Sequence, residues 1–345
     1  MRKPVEILKR KFTNSVGLPF RELLPESTIV EALEAEKIEY RNRLFNPIVT
    51  LWAFLSQVLD TDKSLQNAVS RIIAWLAADG EAIPSSDTGG YSKARKRLPE
   101  KFLLRLLGKT AQGLEKQSSS EDLWCDRHVK LCDGSAVIMS DTPKNQAEYP
   151  QHANQAPGCG FPIAKIVVMF SLATGAALEI VIAPFRIGEV TLARQLYPKL
   201  LPGDVLLYQW RWQVEVDLRH VKTTLGMEML RGKTPDMVRK EIYVHLMAYN
   251  LLRTVMWQAG KKAGVCPVRI SLQGTRQHLG HFCPEFYKAG AKKRWQLYST
   301  LLIVVTDKLL PERPYRYEPR LKKQRPKPYG WIQQPRDVLK RKLAA

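Results

Sequence analysis

The chain has 345 residues, enough to bury a sizeable core. Its 54 Lys and Arg against 33 Asp and Glu leave a formal charge of +21, which points to a polyanionic partner, nucleic acid before an acidic membrane surface. No apolar run reaches the roughly 18–20 residues of a spanning helix, the start lacks the pattern of a signal peptide, and five cysteines suit reduced thiols. The expectation is a cytoplasmic protein without a membrane span.

Residues 19–118 read as helical: Leu51, Phe54, Leu55 and Val58 recur at helical spacing, as do Leu103, Leu104 and Leu107. A turn-rich loop from Asp79-Gly80 to Gly89-Gly90 interrupts them. The helix that follows, from Tyr91, carries Lys93, Arg95, Lys96 and Arg97, which suit either DNA phosphates or a solvated face. Gln117 to Asp122 looks like a linker.

From there the character changes. Val129–Ile138 alternates and is β-rich, and a loop rich in Pro, Gly, Asn and Gln runs from Thr142 to Pro162. Ile163–Leu172 is a near-continuous apolar run, Thr174-Gly175 a turn, and Ala177–Ala183 a third strand, so 163–183 reads as a hairpin. A helix over Glu189–Leu200, a short strand over Asp204–Leu207, a helix from about Trp210 to Leu225 and a long one over Met237–Ala259 follow. Further helix is expected around Lys288–Leu309, and from Arg313 onward an extended basic arm. The order β-β-β-α-β-α is that of an RNase H-like domain. The fold expected is α/β: a mixed sheet flanked by helices, behind a helical N-terminal domain. The boundaries are 1–118 for the helical domain, a candidate for DNA binding, then 119–309 for the core and 310–345 for the arm.

Two places carry candidate chemistry. Asp133 lies in the first strand with Gly134 beside it; the glycine leaves room for a metal or phosphate to approach, although Asp-Gly also suits a strand-end turn. On the helix near 210–225, Tyr208, Arg211, Glu215 and Lys222 follow the spacing Tyr-x2-Arg-x3-Glu-x6-Lys. At about 100° per residue these four positions fall within about 60° of one another. One stripe thus combines a phenol, a guanidinium, a carboxylate and an ammonium, suited to holding a phosphate backbone and a metal ion. Val214, Leu218, Val221 and Leu225 form the neighbouring apolar stripe, so the helix can pack on the sheet while presenting Glu215.

With these residues in view, the chain resembles the DDE transposases of the insertion-sequence-4 family. The resemblance rests on the four-residue signature, on Asp133-Gly134-Ser135, on Lys222 to Met227 and on Gly158 to Pro162. It continues through Tyr249-Asn250-Leu251-Leu252-Arg253 into the basic run Lys322 to Lys327, and covers nearly the whole chain from Phe20 onward. It implies three carboxylates on an RNase H-like fold holding two Mg²⁺ ions that activate water, then a DNA 3′-hydroxyl, for attack on phosphodiesters. By resemblance Asp133 and Glu215 are the first and third carboxylates, catalytic and metal-binding, while Tyr208, Arg211 and Lys222 contact DNA phosphates. The implied partners are double-stranded DNA, as terminal inverted repeats and target, and a second copy of the chain in a homodimer.

The second catalytic Asp is not found. In the family it ends the strand that begins Gly-Asp-Val, just before a β-rich insertion; here Gly203-Asp204-Val205-Leu206-Leu207 runs directly into Tyr208, and the insertion between 207 and 208 is absent. Asp204 is expected about 16 Å along the strand from the required place. Asp217 is expected to face away from Glu215, and Asp141 is a weak substitute. The expectation is an internally deleted transposase with impaired strand transfer, or a non-catalytic DNA-binding remnant that interferes with an intact transposase. A plain nuclease on the same fold is a further rival. Cys125, His128, Cys132, His152 and Cys159 have ligand-like types but not the spacing of a paired zinc knuckle.

Overall fold

The computed structural model describes residues 2–207, 211–307, 309–311 and 333–344. Six helices come first: α1 (Arg2–Thr13), α2 (Glu26–Ala35), α3 (Pro47–Leu59), α4 (Leu65–Ala78), α5 (Gly89–Arg97) and α6 (Glu100–Glu115). Their starts are written in the sequence. Asn46 accepts a hydrogen bond from the Val49 amide at 2.9 Å, with Pro47 at the first helical position. Helix α1 was not expected, yet Val5, Leu8 and Phe12 recur at helical spacing and are buried.

Then follow β1 (Val129–Met139), α7 (Pro143–Glu148), β2 (Ile163–Ser171), β3 (Ala177–Pro184), α8 (Glu189–Arg194), β4 (Val205–Leu207) and α9 (Arg211–Arg219). A π-helical turn (His220–Thr224), β5 (Met229–Leu230), α10 (Pro235–Ala263), α11 (Leu272–Lys288) and α12 (Ala291–Thr306) come next. The expected β-β-β-α-β-α order is present, and the whole is a mixed α/β protein with a curled sheet flanked by helices. Two short elements depart from expectation. Helix α7 occupies part of the loop read from Thr142 to Pro162, started by a Thr142 cap on the Asn145 amide. Helix α13 (Arg336–Ala344) lies within the stretch read as extended, where Leu, Lys, Arg and Ala favour helix and no proline intervenes.

The sheet runs β3-β2-β1-β4. β2 is antiparallel to both β1 and β3, with Asp133 opposite Val168, and β4 is parallel to β1. β1 is divided along its second edge: β4 pairs with Val129–Leu131, and β5 with Ile138 and Met139. Strand alternation sorts the residues into two faces. Val129, Leu131, Val137, Ile166, Val168 and Phe170 join one large core with α10, Leu218, Val221 and Leu225. Cys132, Val167, Met169 and Ala183 face the other way, onto Leu192, Ala193 and Leu196. The large core also takes in α1, α3 and α6, and α3 and α6 pack directly against α10.

Candidate active site

Asp133 pairs with Val168 and shares its face, so it points to the side covered by α9 and α10. Its neighbour Gly134 points to the other side. The room expected beside Gly134 for a metal or phosphate is filled: a Cβ there would lie 2.5 Å from Glu189 Oε2. The Glu189 side chain at the start of α8 occupies that space, on the face opposite Asp133.

Helix α9 packs on β1, and on it Glu215 is half-buried, one turn before the buried Leu218. Arg211 begins α9. Tyr208 lies outside the described residues. Lys222 does not continue a regular helix: it sits in the π turn, half-buried, with the Leu225 amide bonding to the His220 carbonyl at 3.0 Å. A π turn takes more residues per revolution than an α turn. The stripe expected on a uniform helix therefore advances less at Lys222, and that side chain lags Glu215 around the axis.

Behind α9 is a buried polar cluster that sequence reasoning did not find. Asp217 is fully buried, and His220 Nδ1 stands 4.0 Å from its carboxylate. Burial, then the nearby Arg253 and Arg219 cations, hold His220 neutral with a pKa of about 4, so this is not an ion pair. Burial and the Asp217 carboxylate push the Tyr249 phenol well above its ordinary range. Arg253 donates from Nε and Nη2 to the Thr174 carbonyl at 3.1 and 3.0 Å, tying α10 to the β2–β3 turn. Asn250 completes the tie: it accepts from the Ala177 amide at 2.8 Å and donates to the Ala177 carbonyl at 3.0 Å. The signal was available, because Tyr249, Asn250 and Arg253 are polar groups inside an otherwise apolar stretch of a 29-residue helix. Such groups are buried only with partners.

The segment that carries Glu215 and Lys222 also matches known proteins. Residues 201–251 match the model of the transposase DDE domain. The chain is 20% identical to "Transposase InsG for insertion sequence element IS4" of Escherichia coli (strain K12), across 86% of this chain and 89% of that protein. It is also 32% identical over 124 residues to "Probable transposase for insertion sequence element IS5377" of Geobacillus stearothermophilus, covering 36% of this chain and 29% of that one. No solved structure matches. Together these matches support a DDE transposase of the insertion-sequence-4 family. The alignment to the E. coli transposase spans 398 positions; 86% of 345 residues is about 297, so about 100 positions face no residue of this chain.

The other acids considered for this site lie elsewhere. Among the described residues β4 reaches Leu207, opposite Leu131 and two residues short of the level of Asp133. Asp204 precedes that strand, where the Val205 amide bonds to the His128 carbonyl; its carboxylate accepts from the Leu201 amide at 2.9 Å. It is thus about 16 Å down the sheet from Asp133. Asp141 lies beyond the far end of β1 and accepts from Gln146 at 2.9 Å. Asp217 faces α10 and Glu189 the opposite side of the sheet. Among the described residues no three His, Cys, Asp or Glu gather to hold an ion. Asp133 and Glu215 without a third carboxylate do not fit a two-ion centre.

The ligand-like cysteines are likewise dispersed. Cys132 is buried on the α8 face with its thiol pushed up to about 12 by burial and then by Asp133, while Cys125 is exposed. Of the four basic residues on α5, Arg95 is in the core, 4.1 Å over the Phe54 ring and bonded to Gln57 at 3.1 Å. Lys93, Lys96 and Arg97 are exposed. No described helix is long and apolar enough to cross a membrane.

Proposed function

We propose that this insertion-sequence transposase binds the terminal inverted repeats and target DNA as a homodimer in the cytoplasm, and that its strand-transfer chemistry is impaired. The helical part, 1–118, and the basic end, 310–345, grip DNA; the part from 119 to 309 is the catalytic core. Asp133 and Glu215 are the remaining catalytic carboxylates. Tyr208, Arg211 and Lys222 contact phosphates beside the cleaved end, the guanidinium through a forked contact and the ammonium as a point charge. By resemblance, Asp133, Glu215 and a third carboxylate would hold Mg²⁺, which would supply Lewis-acid activation of the phosphodiester and the attacking oxygen. Here the donor set falls short, so no step is assigned to a metal.

The observation that carries this reading is the junction between β4 and α9. Only three residues separate Leu207 from Arg211, none of them acidic. Two carboxylates without a third would leave an ion pair short of a bridging or terminal ligand. The test is cleavage and strand transfer on a duplex bearing the element's own ends, in Mg²⁺ and in Mn²⁺. Binding without strand transfer is expected; efficient strand transfer would overturn the deletion argument. The second reading, a non-catalytic remnant, is favoured by the dispersed acids. It predicts that added protein lowers the activity of an intact relative on shared ends.

A further inference from the structure

Three cations from three separate elements meet beside the turn that carries Lys222. Lys63, in the loop before α4, reaches across to donate to the Leu225 carbonyl at the end of the π turn. Its ammonium packs on Gly226, where a Cβ would lie 2.5 Å from Nζ. Arg231, just after β5, donates to the Lys63 carbonyl at 3.1 Å. Arg276, on α11, is the third. Among the described residues none of the three forms a close ion pair, although Asp60 acts on Arg276, and Glu241 on Lys63 and Arg231, across longer gaps. The acids nearby are already engaged. Asp60 is paired with Arg71, and Glu241 accepts from the Arg231 and Gly232 amides at 3.0 and 2.9 Å. Burial, then Arg276 and Arg231, lower the Lys63 pKa to about 8, while Glu241 opposes the shift. The neutral, buried His245 also lies close.

With Arg71, four cations here face the two carboxylates of Asp60 and Glu241, and such an excess of like charge costs free energy that a bound anion would reduce. Given the transposase reading, on which this rests, the anion is a phosphodiester of the DNA substrate. We propose that Lys63, Arg231 and Arg276 form a phosphate-binding site for duplex DNA that joins the N-terminal helices to the Lys222 turn. Because Lys63 also grips the Leu225 carbonyl, three residues after Lys222, a phosphate seated there would hold that turn in place.

The test uses the full chain and a 20-base-pair DNA duplex, with affinity read by fluorescence anisotropy between about 50 and 200 mM KCl. Lys63→Met, Arg231→Gln and Arg276→Gln are each expected to reduce the slope of log K against log salt by about one. Each should weaken binding about fivefold at 0.15 M, the effect of losing one released counterion. Lys63→Arg should retain the slope, and so should Lys199→Gln on the far side of the sheet. A second readout separates charge from folding. From pH 7 to 9 at 0.15 M the wild type should lose about threefold more affinity than Lys63→Arg, because only lysine discharges in that range. A steep wild-type slope left unchanged in all three variants overturns this site while the DNA reading stands. A wild type whose affinity is indifferent to salt overturns the DNA reading itself. Tighter binding to a 20-base-pair RNA duplex overturns the assignment to DNA.

Discussion

Asn250 offers the sharpest test of how α10 holds the sheet. Its side chain meets the Ala177 amide at 2.8 Å, the Ala177 carbonyl at 3.0 Å and the Thr110 hydroxyl at 3.3 Å, all buried. Asn250→Ala removes the partner of two backbone groups at the start of β3, where Ala177 is 1% exposed. Each orphaned group costs about 1–3 kcal/mol, so the variant should lose about 2–6 kcal/mol. The Thr110 hydroxyl still donates to the Leu107 carbonyl at 2.8 Å and adds little to that sum. Urea denaturation followed by tryptophan fluorescence measures the loss. Hydrogen exchange localises it, since the Ala177 amide should change from protected to rapidly exchanging while β1 amides are less affected. A loss below about 1 kcal/mol, with Ala177 still protected, would refute the claim that Asn250 clamps the hairpin.

Other outcomes follow from the same geometry. Gly175→Ala should cost on the order of 3 kcal/mol or more, because φ is +69° and the new Cβ would lie 2.5 Å from Arg253 Nε. Gly264→Ala, at φ +65° in open space, should cost only about 1 kcal/mol, and equal losses in thermal denaturation would contradict this. His220 and His245, each lowered to about 4 chiefly by burial, take up protons more readily when unfolded. Stability should therefore fall as pH drops from 6.5 toward 4, by about 2 kcal/mol per histidine on reaching pH 5. A flat urea midpoint between pH 7 and 5 would count against both assignments. Lys11, 1% exposed, holds the Asp79 carboxylate at 2.5 Å and, by that hydrogen bond first, below its usual 3.8. Lys11→Met should cost about 1 kcal/mol at neutral pH, because Asp79 is solvent-screened and keeps Arg10 at 3.2 Å. The gap to wild type should close as pH falls below 3.8, because a depressed carboxyl stabilises only while ionised.

Periodicity made the architecture legible wherever apolar residues repeat along an element. The hairpin over 163–183 and the long helix near 237–259 were within a few residues of β2, β3 and α10. What escaped was set by tertiary partners. The two-residue β5 exists because Ile138 and Met139 offer it an edge, and no two residues announce a strand alone. The π turn departs from the uniform helix that the signature's spacing assumes, and nothing in His220–Thr224 marks it. At the candidate site, alternation along β1 put Asp133 on the α9 face, but the glycine beside it was misread. A Gly next to an acid speaks of close approach without saying by whom, and here the approaching group is the chain's own Glu189. Arg95 was ambiguous for a related reason: a guanidinium can leave the surface when aromatic faces and an amide receive it.

The divided edge of β1 has a consequence for how such a chain changes over generations. β4 is fastened to the first third of that strand and β5 to its last two residues. Helix α9 is fastened separately, through Leu218 and the polar cluster on α10. Neither anchor relies on the length of chain that links β4 to α9. Sequence can be spliced in or cut out at that seam while the sheet closes as before. A lineage could in this way change what it carries at the seam in one event and keep the folded scaffold on which other uses can be built.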